Sequence, residues 1–164
     1  PEGMAVVEYP FLPNPIAVIA SVKNPLAKRK NLRWKDLLDQ RFILREQGSE
    51  TLLNVERFFK QKKLSLPRAM TIQSNEAIKY AVMANMGISI LSAYALFDTK
   101  ELTQLKVSGF PIMAKWHMTH LRDKRLSIVA EKFLRFMLDN GESLLPMERI
   151  EMNVKAAKDA DWRR

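Results

Sequence analysis

Two segments of this chain share one plan. Phe42-Ile43-Leu44 leads through Arg45-Glu46-Gln47-Gly48 to Ser49-Glu50-Thr51 and an amphipathic stretch. Ala69-Met70-Thr71-Ile72 leads likewise to Ser74-Asn75-Glu76-Ala77-Ile78, and that unit closes at Met86-Gly87-Ile88-Ser89-Ile90-Leu91. A short apolar run bounded by turn residues suits a buried strand, and apolar residues at helical spacing suit a helix laid on the sheet. Such units in series aim each helix N-terminus, with its free N–H groups and hydroxyls, at the carboxyl end of the strands. Small anions bind most readily at such a place. The chain is therefore expected to sense a small acid.

The pattern extends on both sides. Ala5 to Tyr9 reads as a strand that Pro10, Pro13 and Pro15 interrupt, marking a turn or crossover. Ile16 to Ala20 is a continuous apolar run, as expected of a strand buried on both faces. Asn24-Pro25 turns, and Arg33 to Leu38 gives a short helix. After Ser49, a helix carries Leu52, Val55 and Phe59 on one face, ends among Lys60, Lys62 and Lys63, and is stopped before Pro67. Ser74 caps the next helix, whose stripe is Ile78, Ala81, Val82 and Met86, with Gly87 in the C′ role. Leu105 to Val107 and Ile112 to Trp116 read as further strands. Ser127 opens a last helix with Val129, Phe133, Phe136 and Met137 at i, i+4, i+7 and i+8, and beyond Gly141 the pattern decays into a short helix or tail. Strands alternating with helices imply an α/β fold with a mostly parallel sheet.

Bulk properties exclude several classes. The 164 residues suffice for one domain or two small lobes, and a composition 47% hydrophobic and 27% charged is that of a folded protein. With no cysteine there is no disulfide, thiolate metal site or Cys nucleophile. No apolar run approaches the roughly 18 residues that span a bilayer, so no membrane role is expected. The net charge is +9. Lys23, Lys28, Arg29, Lys30, Arg33 and Lys35 form one basic run, read here as a solvated surface, because no nucleic-acid-binding signature accompanies it. His117 and His120 lack further ligands, so no metal and no cofactor is expected. No nucleophile elbow, P-loop, GxGxxG or paired catalytic carboxylates is present, so the chain is not read as an enzyme.

In order and spacing, a set of segments resembles the effector-binding domain of LysR-type transcriptional regulators, most closely the RuBisCO-operon (CbbR) type. They are Asn24-Pro25-Leu26-Ala27 after an apolar strand, Phe42 to Ser49, Asn75-Glu76-Ala77-Ile78-Lys79, Gly87 to Ser92, and Arg125-Leu126-Ser127 before the last helix. The resemblance implies a type II periplasmic-binding-protein-like fold, two α/β lobes joined by two crossing strands, with the first lobe incomplete. Residues 1–15 would be the remainder of that lobe, 16–93 the second lobe, 94–140 a return to the first with a closing helix, and 141–164 a tail. It implies a cytoplasmic homodimer or tetramer that binds a small anionic metabolite between the lobes. DNA would be reached only through an N-terminal helix-turn-helix missing here. A phosphorylated sugar acid, a sugar phosphate or NADPH is the implied effector class. A periplasmic-type solute-binding protein is the alternative on the same fold.

The candidate effector-binding residues are Arg45, Gln47, Gly48, Ser49, Thr51, Ser74, Asn75, Ser92 and Asn14. Ser49 and Thr51 either hold a carboxylate or phosphate, or one simply caps the helix. Gly48 permits a φ > 0 turn or close backbone approach. Arg45 either clamps the anion or pairs with Glu46 or Glu76, Gln47 is an adaptable polar lining, and Glu50 is expected to face solvent. Ser74 and Asn75 open the second helix beside the ligand, and Ser92 and Asn14 lie near the presumed crossings. Lys79 is read as a solvated lysine.

Overall fold

In a computed structural model, which describes residues 5–67 and 69–144, one mixed sheet carries the helices on its two faces. Its strands are β1 (Val6–Ser21), β2 (Phe42–Leu44), β3 (Ala69–Thr71), β4 (Ile88–Ser92), β5 (Leu102–Gln104) and β6 (Ile112–Leu121). The helices are α1 (Glu50–Gln61), α2 (Asn75–Met83) and α3 (Ile128–Asn140), with 3-10 turns at Pro25–Lys28, Trp34–Leu37, Ala93–Leu96 and Gly141–Leu144. The sheet order is β3-β2-β4-β1-β5, with β6 also paired to β1. Only β3, β2 and β4 run parallel. β1 is antiparallel to β4, β5 and β6, so the sheet is mixed, where a mostly parallel one was expected.

The three prolines do not break β1. Val6 to Ile16 pairs continuously with β6 from Leu121 to Ile112, and a register shift between Pro10 and Leu12 absorbs the first proline. A proline lacks only the ladder donor, so a bulge or an unpaired edge accommodates it. Pro13 and Pro15, two apart, turn the same edge. The flank of β1 away from β6 gains a partner, β4, only from Ile16 onward.

Two cores form because alternate strand residues face opposite ways. Ile16, Val18, Phe42, Leu44, Ile88 and Ile90 meet Leu52, Val55 and Phe59 of α1 on one face. Ala17, Ile19, Ile43 and Leu91 meet Ile78 and Val82 of α2 on the other. This two-sided burial accounts for the unbroken apolar runs in β1 and β4. The packing continues past residue 93: Leu102 joins the α2 core, and Leu105, Val107 and Phe110 join the α1 core. The strand expected at 105–107 lies instead at Leu102–Gln104, and Val107 makes an isolated bridge to Leu32.

The end of α2 also differs from expectation. The Asn85 N–H donates to Val82 O at 2.9 Å and the Met86 N–H to Ala81 O at 3.1 Å, the two bonds of a Schellman cap. Asn85, at φ +57°, is the left-handed residue, and Met86 is exposed beyond it, outside the buried stripe. Gly87 serves a different need: a Cβ there would stand 2.5 Å from the carbonyl oxygen of Arg41. That closeness lets the Ile88 N–H reach the same oxygen at 2.8 Å and begin β4.

The helix α3 begins as expected, with Ser127 accepting from the Ala130 N–H. Its apolar stripe is not covered: Val129 is 77% exposed, Phe133 57% and Phe136 51%. Most of the tail assigned to 141–164 lies outside the described residues.

Candidate functional site

Because β2 and β3 are parallel neighbours, the turns that follow them leave the same edge of the sheet. The Ile72 N–H donates to Leu44 O at 3.0 Å, and Arg45 Nη1 donates to Asn75 Oδ1 at 2.6 Å, so the two turns touch. Both helix N-termini, α1 on one face and α2 on the other, stand at that edge.

In the first turn Gly48 takes φ +87°, a conformation open to glycine at little cost. A Cβ there would meet nothing within 4 Å, so the requirement is conformational and the turn opens onto free space. Ser49 is buried and is the N-cap: its Oγ accepts from the Leu52 N–H at 3.2 Å. The cap is thus Ser49 and not Thr51, which is half-buried two residues further on, within the first turn. The hydroxyl of Ser49 still has a hydrogen to donate. The N–H groups of Glu50 and Thr51, at the start of the helix, have no intrahelical acceptor. Glu50 is exposed, and its Oε1 accepts from Asn54 at 3.0 Å.

Arg45 is engaged on its own side. Its Nε and Nη2 donate to the two carboxylate oxygens of Glu46 at 2.8 and 2.9 Å. That pairing raises the Arg45 pKa and, through the same bonds, lowers that of Glu46. Of the roles left open for Arg45, the structure therefore has it paired with Glu46 and bonded to Asn75, tying the two turns together. Gln47 donates to Glu56 Oε1 of α1 at 3.1 Å. In the second turn the Ser74 Oγ accepts from the Ala77 N–H at 3.2 Å, capping α2.

Ser92 and Asn14 reach the same edge from the other strands. Ser92 ends β4 opposite Ile16 and caps the 3-10 turn by accepting from the Tyr94 N–H at 3.3 Å. Asn14 lies two residues beyond Ile16 on β1, past the carboxyl end of β4. By alternation Asn14 faces the side of Ile16 and α1. Only 6% exposed, it has a buried Oδ1 with no hydrogen-bond partner. A buried acceptor left unpaired is costly, of order 1–3 kcal/mol. Asn14, Ser92 and the N-terminus of α1 thus share one face and one edge.

Two residues escaped the sequence reading. Lys79 is buried, not solvated: its ammonium donates to Asp98 and lies 3.5 Å from Glu76. The bond to Asp98 raises the Lys79 pKa and lowers that of Asp98. It fastens α2 to the segment leaving β4. Tyr94 donates its hydroxyl to Pro13 O at 3.0 Å and stacks on Trp116 with ring centres 4.6 Å apart, fastening the same segment to the β1–β6 ribbon. Lys79 lies in a segment that carries the family resemblance but off the apolar stripe of α2, and Tyr94 lies in no stripe or motif, so pattern alone did not mark their partners.

A hollow of about 580 Å³ lies elsewhere, between the β1–β6 ribbon and α3, walled by Tyr9, His120, Arg122, Arg125, Glu131 and Arg135. None of the candidate effector-binding residues lines it. His117 and His120, three apart on β6, face opposite sides of the strand and cannot share an ion. Among the described residues no group of three or more His, Cys, Asp or Glu is placed to hold a metal. Nor, among them, is any helix long and apolar enough to cross a membrane.

Comparison with known proteins gives this edge a context. A family model described as the LysR substrate binding domain matches residues 2–142. The HTH-type transcriptional activator CmpR of Synechocystis is 42% identical over 137 residues, covering 82% of this chain and 45% of that protein. The RuBisCO operon transcriptional regulator of Allochromatium vinosum is 35% identical over 144 residues, covering 86% and 48%. The chain spans about half the length of the curated relatives it matches. Among solved structures, the Synechocystis PCC6803 CcmR regulatory domain in complex with 2-PG superposes with a TM-score of 0.77 at 38% identity, over 85% of this chain and 68% of that one. The effector-binding domain of QuiR in complex with shikimate shares the fold at a TM-score of 0.72 and 18% identity, over 84% and 66%.

Proposed function

From the fact that this chain belongs to the LysR substrate-binding-domain family, we propose that it binds a small anionic metabolite at the carboxyl edge of β2, β3 and β4. The chain is the effector-binding part of a LysR-type regulator with the type II periplasmic-binding-protein-like fold. Its relatives include an HTH-type transcriptional activator and two RuBisCO operon transcriptional regulators, so the transport alternative is not favoured. In our reading, Gly48 to Thr51 supply the N–H groups and hydroxyls that receive the anion. Ser92 and Asn14 line the same face, Ser74 and Asn75 stand beside it at the start of α2, and Arg45 and Gln47 position the turn from behind. The observation that carries this is the convergence of two capped turns on one edge, joined by the Arg45–Asn75 bond.

The β1–β6 ribbon then carries the crossing between lobes, and the second lobe extends from Ile16 to about Phe110. Ligand held against this edge favours one lobe angle. It shifts the regulator's equilibrium only by its differential affinity for the two states. The wider regulator would act in the cytoplasm as a homo-oligomer, reading DNA through a helix-turn-helix and serving a metabolic operon of the carbon-fixation kind. By analogy with the 2-PG held by the CcmR domain, a small phosphorylated acid is the effector class.

Calorimetric titration of a protein spanning the whole regulatory domain, with 2-phosphoglycolate, 3-phosphoglycerate, ribulose 1,5-bisphosphate and NADPH, tests the reading. Saturable heat with at least one of them is expected. No heat and no thermal shift with any would overturn it.

A further inference from the structure

The net charge of the chain is not where the ligand edge is. Between residues 22 and 41 stand seven Lys and Arg against two Asp, and Lys60, Lys62 and Lys63 add a second run, together close to the whole net charge of +9. The fold brings the two runs together at the opposite end of the sheet. Asn24 Nδ2 donates to Gln40 Oε1 at 3.1 Å, which sets Lys23 beside Arg41. Trp34 packs edge-on against Phe59 with ring centres 4.5 Å apart, which brings the 33–35 segment against the last turns of α1, where Lys60 lies. Lys23, Lys28, Arg29, Lys30, Arg33, Lys35, Arg41 and Lys60 are all exposed. The acidic groups amid them are few. Asp36 is occupied by Arg29 at 3.3 Å and by the Arg33 N–H at 2.7 Å; Asp39 and Glu101 are exposed. At the ligand edge Arg45 is paired with Glu46 and Lys79 with Asp98.

Gathering like charges on one face costs self-repulsion, and the fold retains it. A positive face of this breadth suits a polyanion with regularly spaced charge. We propose that this basic face, formed by the 23–41 loop and the end of α1, docks on the phosphate backbone of duplex DNA without reading its sequence. The choice of duplex rests on the regulator reading above, since relatives are named as HTH-type transcriptional regulators. The contact would be additional to the helix-turn-helix, through which alone the sequence implied DNA is met. Phosphate contacts of this kind position a protein on the duplex and make its grip salt-dependent.

The test uses the 164-residue chain itself and a random-sequence duplex of about 40 base pairs, with affinity followed against salt. Each neutralised phosphate contributes about 0.9 to the slope of log K against log salt. The face variant carries Lys28→Glu, Lys30→Glu, Lys35→Glu and Lys60→Glu. A matched control reverses four exposed cations elsewhere: Lys115→Glu, Lys124→Glu, Lys132→Glu and Arg135→Glu. We expect micromolar binding at low salt. The face variant should weaken it at least about tenfold and flatten the slope by up to about 3.6, while the control keeps most of both. Absence of binding, equal loss in the control, or preference for anionic vesicles or heparin over duplex at equal charge would overturn the proposal. The face variant should keep its thermal midpoint and, in the full regulatory domain, its metabolite heats. Loss of those heats in the unmodified protein would instead strike the ligand reading.

Discussion

Helices α1 and α3 start alike and end differently. Each opens on a serine whose Oγ accepts from the N–H three residues on, and each carries an apolar stripe with phenylalanine at its heart. In α1 the stripe is sealed, with Val55 and Phe59 at 1% and 2% exposure; in α3 Phe133 and Phe136 remain more than half exposed. The difference lies in what is underneath. The helix α1 covers a sheet with strands on both sides of β1, whereas α3 lies along a ribbon of two strands. Periodicity thus tells which face of a helix is apolar but not whether anything covers it.

The largest expected effect probes that contrast. Phe59→Ala should lower the unfolding free energy by roughly 3–5 kcal/mol, while Phe133→Ala in this chain should change it by no more than about 0.5 kcal/mol. Denaturant unfolding of both variants measures this. In a protein spanning the whole regulatory domain the Phe133→Ala cost should rise to several times that value if the stripe is covered there. An unchanged cost would break the explanation.

Much of the edge where β2, β3 and β4 end, proposed to hold the ligand, was legible in sequence for the same local reason that α1 was. β2, α1, β3, α2 and β4 are each short, and a cap, an apolar stripe or a turn marks their ends, as with Ser49 and Ser74. The rest depends on distant partners. That β1 survives three prolines depends on β6, some hundred residues away, and on an edge left without a ladder. Asn85 displaced Gly87 as the helix terminator because Gly87 was needed against the Arg41 carbonyl. Lys79 looked like any surface lysine until Asp98, nineteen residues on, came round to meet it.

Gly87→Ala is the next effect in size. The backbone oxygen 2.5 Å from the new Cβ cannot yield without moving the start of β4, so a loss of about 1–3 kcal/mol is expected. Gly48→Ala should cost only about 1 kcal/mol, because backbone conformation alone opposes it. Thermal or denaturant unfolding ranks the two, and the reverse order would contradict the account of both turns.

The smallest effect is in pH. The lowered pKa of Asp98 means that its pair with Lys79 stabilises the fold above the ordinary carboxylate range and is lost as pH falls through the lowered value. The raised pKa of Lys79 means that the stabilisation is complete below the ordinary lysine value and is lost as pH rises through the raised one. Lys79→Met should therefore flatten both limbs of the stability–pH curve measured by thermal melts. A variant curve parallel to the parent's would remove the pair from the account.

The twin caps supply the most direct test of the ligand edge. Ser49→Ala and Ser127→Ala should each cost about 1 kcal/mol of stability, since both serines cap a helix in the same way. In a protein spanning the regulatory domain, titration with the phosphorylated acid that binds the parent should show affinity falling about tenfold or more for Ser49→Ala and holding for Ser127→Ala. Equal affinities for the two variants would mean that the first turn only caps its helix and that the anion is held somewhere else.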